Sequence, residues 1–565
     1  MARTVAIGIQ NFEQIITNNY FYVDKTPFIK EWWEAGDEVT LITRPRRFGK
    51  TLTLSMVERF FSINKYANAG EVFENLNIWK EEKYRELQGT YPVIFISFAG
   101  VKETNFPSAK RKINDIITTL FAQNYFLIEK ADLKKTELDF FNSVSMDMDE
   151  VIASVAIQHL SEYLGRYYGK KVLILMDEYD TPLQEAYVNG YWDEMVTYIR
   201  ALFNNTFKTN PYMERGIMTG ITRISKESIF SDLNNLKIIT TTSEQYANCF
   251  GFTESEVFSA MDEMGLTDRA GVKKWYDGFT FGSQKDIYNP WSIINYLDNR
   301  KFDVYWANTS QNSLAGKLIQ TGDAEIKSDF QILLEGGTIC TQLDEEIVFN
   351  YLDNHAEAIW SMLLASGYLK VVSVKGVGEA AQYTLSLTNF EVSQMFRKMV
   401  RGWFQNKEQS QKKFLQAFLK GNLEEMNYYL NKLTTTIFSY YDVGNAEKWE
   451  QAERFYHGFV LGLIVELAED YTIRSNRESG LGRYDVLLYP KTGKDGIIIE
   501  FKAVREEKNE TLESAVNMAL QQIEEKHYEQ ELISAGVPSQ HIRKYGFAFE
   551  GKNVLIVMAD KTGNR

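Results

Sequence analysis

Over the first 250 residues, short apolar runs alternate with longer stretches of helical period. "VTLIT" (39–43), "YPVIFISF" (91–98), "KKVLILMDEYD" (170–180), "RGIMTGIT" (215–222) and "LKIITTT" (236–242) are strand-length and largely apolar. Runs of this kind suit strands covered on both faces. Between them lie segments such as "KTLTLSMVERFFS" (50–62) and "MDEVIASVAIQHLSEYLGRYY" (148–168), with apolar residues every three or four positions. The alternation predicts an α/β fold with a parallel, doubly wound sheet. Ligands bind such sheets beyond the C-terminal ends of the strands.

After about residue 250 helical segments dominate. The aromatic turns "KKWYDGFTFG" (273–282) and "YNPWSIINYL" (288–297) are expected to anchor the core of a lid rather than to stack on bases. "WSMLLASGYLKVV" (360–372) and "QYTLSLTN" (382–389) predict a helix followed by a hairpin, as in a winged-helix-like module. A further α/β unit follows: a long helix over 447–470, a strand or hairpin over 482–505, a helix over 511–528 and a strand pair within 544–559. The expected organisation is a sheet domain over 1–250, a helical lid over 251–330, a winged-helix-like module over 331–409, a helical connector over 410–447 and a C-terminal domain over 448–565.

Charge and composition narrow the function classes. A net charge of −14 excludes a polycation that coats nucleic acid, so any such contact needs a local basic surface. Two distant cysteines and five scattered histidines build neither a disulfide framework nor a zinc hydrolase site. The N-terminus lacks a signal-peptide core, and the longest apolar stretch, "GFVLGLIVELA", is short and carries Glu466. A cytoplasmic protein without a membrane partner is expected.

The candidate chemistry starts at "RPRRFGKT" (44–51), where the first strand runs into the first helix. In a phosphate-binding loop, backbone N–H groups surround the β-phosphate, the lysine reaches the β- and γ-phosphates, and the Ser/Thr hydroxyl ligates Mg²⁺. Gly49, Lys50 and Thr51 fit these roles, with Arg44, Arg46, Arg47, Phe48 and Leu52 completing the loop. Arg44 stands where the usual pattern has glycine. The strand "VLILMDEYD" then offers two acids: Asp177 for the metal, through water, and Glu178 to polarise the attacking water. The strand 91–98 falls between loop and acids in the chain, as in hydrolases where an extra strand separates the two. In "TGITR" (219–223), Thr219 or Thr222 is a candidate γ-phosphate sensor and Arg223 a neutralising cation.

Six segments in order, "FYVDKT" (21–26), "RPRRFGKTLTLSM" (44–56), "LMDEYDTPL" (175–183), "ITRISKESIFSDLNNL" (221–236), "WYDGFTFG" (275–282) and "YNPWS" (288–292), resemble the bacterial AAA-ATPase-like family. The resemblance implies a P-loop NTPase sheet, ATP binding and a C-terminal nuclease-like domain. The family's loop is arginine-rich, as here.

The second constellation lies in that C-terminal domain. Asp485 opens one strand, and Glu500 and Lys502 sit two residues apart on the next, so their side chains share a face. Two carboxylates can hold Mg²⁺, and a lysine can orient or deprotonate water. Asp485, Glu500 and Lys502 resemble the D…(D/E)xK core of the PD-(D/E)xK nuclease superfamily, which implies a restriction-endonuclease-like fold. By that resemblance Glu453 is the extra acid of the preceding helix and Gln522 the polar residue of the following one, with Gln521 as alternative. Tyr484 replaces the proline common before the aspartate. The resulting expectation is an ATP-binding, ATP-hydrolysing protein coupled to a Mg²⁺-dependent (or Mn²⁺-dependent) nuclease. Its partner is nucleic acid, DNA before RNA, and assembly as a homo-oligomer is left open. The alternative is a nucleotide-dependent switch or scaffold with an inactive nuclease fold.

Overall fold

The computed structural model describes residues 3–63, 70–222, 229–230, 233–306, 315–316, 318–319, 324–343, 356–376, 381–405, 408–437, 456–457, 459–461, 463–464, 467, 470–479, 482–491, 493–505 and 510–559. The chain divides into two compact units. One holds 1–315 and 338–395, the other 316–337 and 396–565.

The first unit is built on five parallel strands: β1 (Val39–Thr43), β2 (Val93–Ser97), β3 (Val172–Asp177), β4 (Met213–Gly220) and β5 (Leu236–Ile239), in the order β2-β3-β4-β1-β5. Every residue of β1 and β3 is buried, so their unbroken apolar text reflects cover on both faces. The strand between loop and acids in space is β4. The strand that lies between them in sequence, β2, is at the sheet edge. That corrects the expectation for 91–98, since β4 returns to pair with both β1 and β3.

Helix α1 (Lys50–Phe61) leaves β1 through the loop, α2 (Glu150–Tyr168) precedes β3, and α3 (Thr181–Asn189) follows it. A small sheet of β6 (Phe252–Thr253), β7 (Phe279–Phe281) and β8 (Gln284–Tyr288) leads into α4 (Pro290–Asn299). Trp275 stacks on Phe302 with centroids 5.9 Å apart and meets Phe390 edge-on at 4.7 Å, an anchor as expected.

Helix α5 (Ala324–Leu334) belongs to the second unit, although the chain on both sides of segment 316–337 is in the first. β9 (Ile339–Thr341), α6 (Ala356–Ala365), β10 (Leu369–Lys375) and β11 (Gln382–Leu387) follow, with β10 and β11 antiparallel and β9 added to β11. A helix followed by a hairpin is present as expected, and β9 is an addition the sequence pattern did not disclose.

The second unit carries a five-stranded mixed sheet, β12 (Tyr471–Ser479), β13 (Gly482–Pro490), β14 (Gly496–Ala503), β15 (Ile542–Glu550) and β16 (Asn553–Met558), in that order. Only β14 and β15 are parallel. Their crossover contains α7 (Leu512–Glu525), capped by Thr511 and packed through Ala515, Val516, Ala519 and Ile523. A Cβ at Gly546 would lie 2.8 Å from the Val516 carbonyl oxygen, so glycine there permits the close approach of α7 to β15.

Candidate functional site

The loop between β1 and α1 turns through two left-handed residues, Arg47 (φ 65°) and Gly49 (φ 83°). It wraps the Lys50 ammonium, which donates to the carbonyls of Arg44 (2.9 Å) and Pro45 (3.0 Å). Burial pushes the Lys50 pKa down, opposed by the charges of Glu178, Asp177 and Asp180. Loop and acids meet directly. The Thr51 hydroxyl donates to Asp177 Oδ2 at 2.7 Å, and the Thr219 hydroxyl, from the end of β4, donates to Asp177 Oδ1 at 2.6 Å. Asp177 is fully buried, which drives its pKa up against those two hydrogen bonds. Glu178 has a left-handed backbone (φ 52°), as a side chain leaving the strand end at a sharp turn requires, and it accepts from the Thr181 hydroxyl at 2.9 Å.

Lys50, Thr51 and Glu178 border a cleft of about 460 Å³, a size that suits a nucleotide. Arg46, Arg47, Phe48, Gly49, Lys50, Thr51, Leu52 and Glu178 line it. Arg46 is steadied by Gln184 at 3.2 Å, and Arg47 lies 4.4 Å over the Trp291 ring. Trp291 therefore sits at the cleft and not in a lid core. Asn289 donates to the Arg46 carbonyl at 3.2 Å while capping α4. Phe48 also packs into an aromatic cluster with Phe279 and Phe281.

Two expected nucleotide ligands are occupied elsewhere. The Arg44 guanidinium is buried, donates to the carbonyls of Thr43 (2.9 Å) and Thr240 (2.6 Å), and stacks over Phe281 at 4.4 Å. It braces the strand ends and does not line the cleft. Thr222 gives its hydroxyl and amide to Asp180 Oδ2, each at 3.0 Å, and its carbonyl accepts from Tyr179 at 2.7 Å. Thr222 is thus part of a buried latch between the ends of β3 and β4. Arg223 lies outside the described residues.

The C-terminal carboxylates also converge. Val486 pairs with Ile499, which sets Asp485 beside Glu500 on the neighbouring strand. Asp485 Oδ2 accepts from the Phe501 amide at 2.8 Å. Glu500 is 1% exposed, and its Oε1 accepts from Gln522 and, at 3.4 Å, from Lys502. Gln522 also donates to the Tyr528 hydroxyl at 3.2 Å, whereas Gln521 faces outward to Glu525. Of the two glutamines, Gln522 faces the acids. Glu453 lies outside the described residues.

Residues 6–230 match the family described as predicted AAA-ATPase, and residues 451–559 match the PD-(D/E)XK nuclease superfamily. The chain carries an AAA-ATPase-like domain and a PD-(D/E)XK nuclease superfamily domain. A relative from Azotobacter chroococcum mcd 1, named "Uncharacterized protein in vnfD 5'region", is 26% identical over 396 residues, 69% of this chain and 68% of that protein. Among the described residues no helix is long and apolar enough to cross a membrane.

Around both domains the structure adds residues that motif reading missed. In the AAA-ATPase-like domain the cleft wall away from the acids comes from the N-terminal segment, with Ala6, Ile9, Phe21, Tyr22 and Val23, and from Phe252. The "FYVDKT" text was the available signal, since Lys25 ties that wall to Glu256 by a 2.8 Å ion pair. The Asp180 latch was visible only as the last acid of "DEYD". In the nuclease superfamily domain, Tyr528 and His457 support Gln522 and Asp485 through contacts that no local spacing encodes.

Proposed function

We propose that the protein binds and hydrolyses ATP with Mg²⁺ at the AAA-ATPase-like domain, and that this is coupled to divalent-metal-dependent cleavage of nucleic acid at the C-terminal domain. The observation that carries the reading is the Thr51–Asp177–Thr219 chain, which joins the loop to the acid strand. A hydroxyl and a buried carboxylate form an all-oxygen donor set that fits Mg²⁺, with Thr51 as the direct ligand and Asp177 acting through water. Bound there, the ion would offset charge on the β- and γ-phosphates. Lys50 would exchange its two loop carbonyls for phosphate oxygens, and Arg46 and Arg47 would neutralise the remainder. Glu178 would orient a water for attack on the γ-phosphorus. The new P–O bond forms as the β–γ bridge breaks, ADP leaves with the bridging oxygen, and Glu178 accepts the water's proton.

At the second centre Asp485 and Glu500 would hold a divalent ion, Mg²⁺ or Mn²⁺. When bound, it would stabilise charge at the phosphodiester. Lys502 would orient the attacking water and take its proton as one P–O ester bond is replaced. Gln522 fixes the Glu500 carboxylate. Both acids lie at the junction of β13 and β14, and the substrate of this reading is DNA in preference to RNA. The sequence, free of a disulfide framework, fits a cytoplasmic location.

The test is incubation of the full chain with single- and double-stranded DNA and RNA, with Mg²⁺ or Mn²⁺, with and without ATP. Cleavage lost in K502A with ATP turnover retained is the expected result. Intact substrates under every condition would overturn the nuclease half, and absent ATP turnover would overturn the other half.

A further inference from the structure

Close to the C-terminal carboxylates lies a buried imidazole that the proposed chemistry does not use. His457 is 3% exposed. Its Nε2 lies 3.2 Å from the main-chain oxygen of Asp485, and its ring packs against Phe501 at 5.2 Å. Phe501 is the residue whose amide donates to the Asp485 carboxylate. One imidazole therefore touches the backbone of one acid and the neighbour of the other.

The hydrogen bonds determine where its proton sits. Gln331, on α5, places its Nε2 3.2 Å from His457 Nδ1. The same amide nitrogen lies 3.0 Å from Glu335 Oε1, and that carboxylate oxygen also accepts from the Ser475 hydroxyl at 3.2 Å. A carboxylate cannot donate, so the group facing Glu335 is the amide NH₂, which fixes the amide's orientation. Its second hydrogen then points to His457 Nδ1, which must accept. The imidazole proton is on Nε2, facing a carbonyl that can only accept.

We propose that His457, held in this tautomer by Gln331, is a positioning residue: it fixes the backbone at Asp485 and so presets the divalent-cation site of the nuclease superfamily domain. The inference rests on the metal-binding reading of that domain. Neighbours that orient a metal ligand commonly affect affinity by about 10- to 100-fold. His457 holds the main chain and not the carboxylate itself, so about tenfold is expected.

The experiment uses the full chain without nucleotide. Mn²⁺ binding is titrated calorimetrically, with D485N marking the component that belongs to this site. Hydrogen exchange of peptides spanning 496–503 is followed in the metal-free protein, and the histidine tautomers are read from ¹⁵N spectra, which five histidines keep sparse. H457L should weaken Mn²⁺ about tenfold and speed exchange at Phe501. H457Q, which returns a donor, should recover most of both. Q331L should convert the single Nε2–H tautomer into a mixture. Unchanged exchange and unchanged Mn²⁺ affinity in H457L would overturn the inference, as would an Nδ1–H tautomer in the unmodified chain. If the unmodified chain binds no Mn²⁺ at this site, the metal reading itself fails, and exchange and tautomer still decide the role of His457.

Discussion

Thr219 offers the sharpest probe of the ATP-binding centre. Thr219→Val keeps the shape of the side chain and removes the hydroxyl that donates to Asp177 Oδ1 at 2.6 Å. The valine methyl takes the place of the hydroxyl at Oδ1, so water does not replace the lost donor. Hydrogen bonds to charged groups contribute about 1.5–3 kcal/mol. A value near 2 kcal/mol corresponds to roughly 30-fold in an equilibrium constant. Part of that is recovered by rotation of the carboxylate toward Thr51, which leaves about a tenfold loss in the Mg²⁺-dependent part of nucleotide affinity. Titration of a fluorescent ATP analogue with and without Mg²⁺ separates that part from the loop's own contribution. Thr222→Val is the control. Asp180 Oδ2 would still accept from the Ile221 and Thr222 amides and from Gln184, so Mg²⁺ dependence should not change. If Thr219→Val binds and hydrolyses Mg·ATP within twofold of the unmodified chain, Asp177 is not part of a metal site, and the argument from the threonine–aspartate chain fails.

Further outcomes follow from the same geometry. Asp177→Asn should raise the melting temperature of the nucleotide-free protein while abolishing ATP hydrolysis, because burial makes the charged carboxylate a liability in the empty fold. Calorimetry beside a phosphate-release assay checks both halves. Gly220→Ala should destabilise by about 1–3 kcal/mol, since the new Cβ would lie 2.5 Å from Tyr179 Cε1 and 2.8 Å from Asp180 Oδ1, and denaturant unfolding measures it. Asp277 shows a pH signature: burial, then its hydrogen bond and charge contact with Asp286, raise its carboxyl to about 6. Between the ordinary carboxylate range and pH 6 the folded form binds more protons than the unfolded one, so this group's contribution falls as pH rises through that window. Asp277→Asn should remove that fall, seen by comparing unfolding midpoints at pH 4.5 and 6.5.

Much of this was legible in the chain. The runs at 39–43 and 172–177 became central strands because a strand buried on both faces has to be apolar throughout. Lys50, Thr51 and Asp177, like Asp485, Glu500 and Gln522, are brought together because each sits on a strand or a packed helix whose register the pattern fixes, although Asp485 lies inside β13 and does not open it as expected. The inward turn of Arg44 was not legible because spacing locates a residue on a loop without saying which way it turns; the carbonyls of Thr43 and Thr240 decide that. Asp180 and His457 escaped for a related reason. Their partners, Thr222 and Gln331, are 42 and 126 residues away, and nothing local marks them. The order of β2 and β4 in the sheet is likewise a long-range choice that periodicity cannot express.

The path of segment 316–337 has a consequence for inheritance and for protein engineering. The polypeptide passes between its two compact units three times, after Ala315, Gly337 and Met395. A single crossover in the gene therefore cannot transplant the second unit intact: a piece beginning at Phe396 leaves Gln331, and the brace it gives His457, with the donor. Lineages that shuffle these modules must carry α5 along or rebuild its role, and a fragment made for the bench should graft 316–337 onto 396–565 rather than cut once.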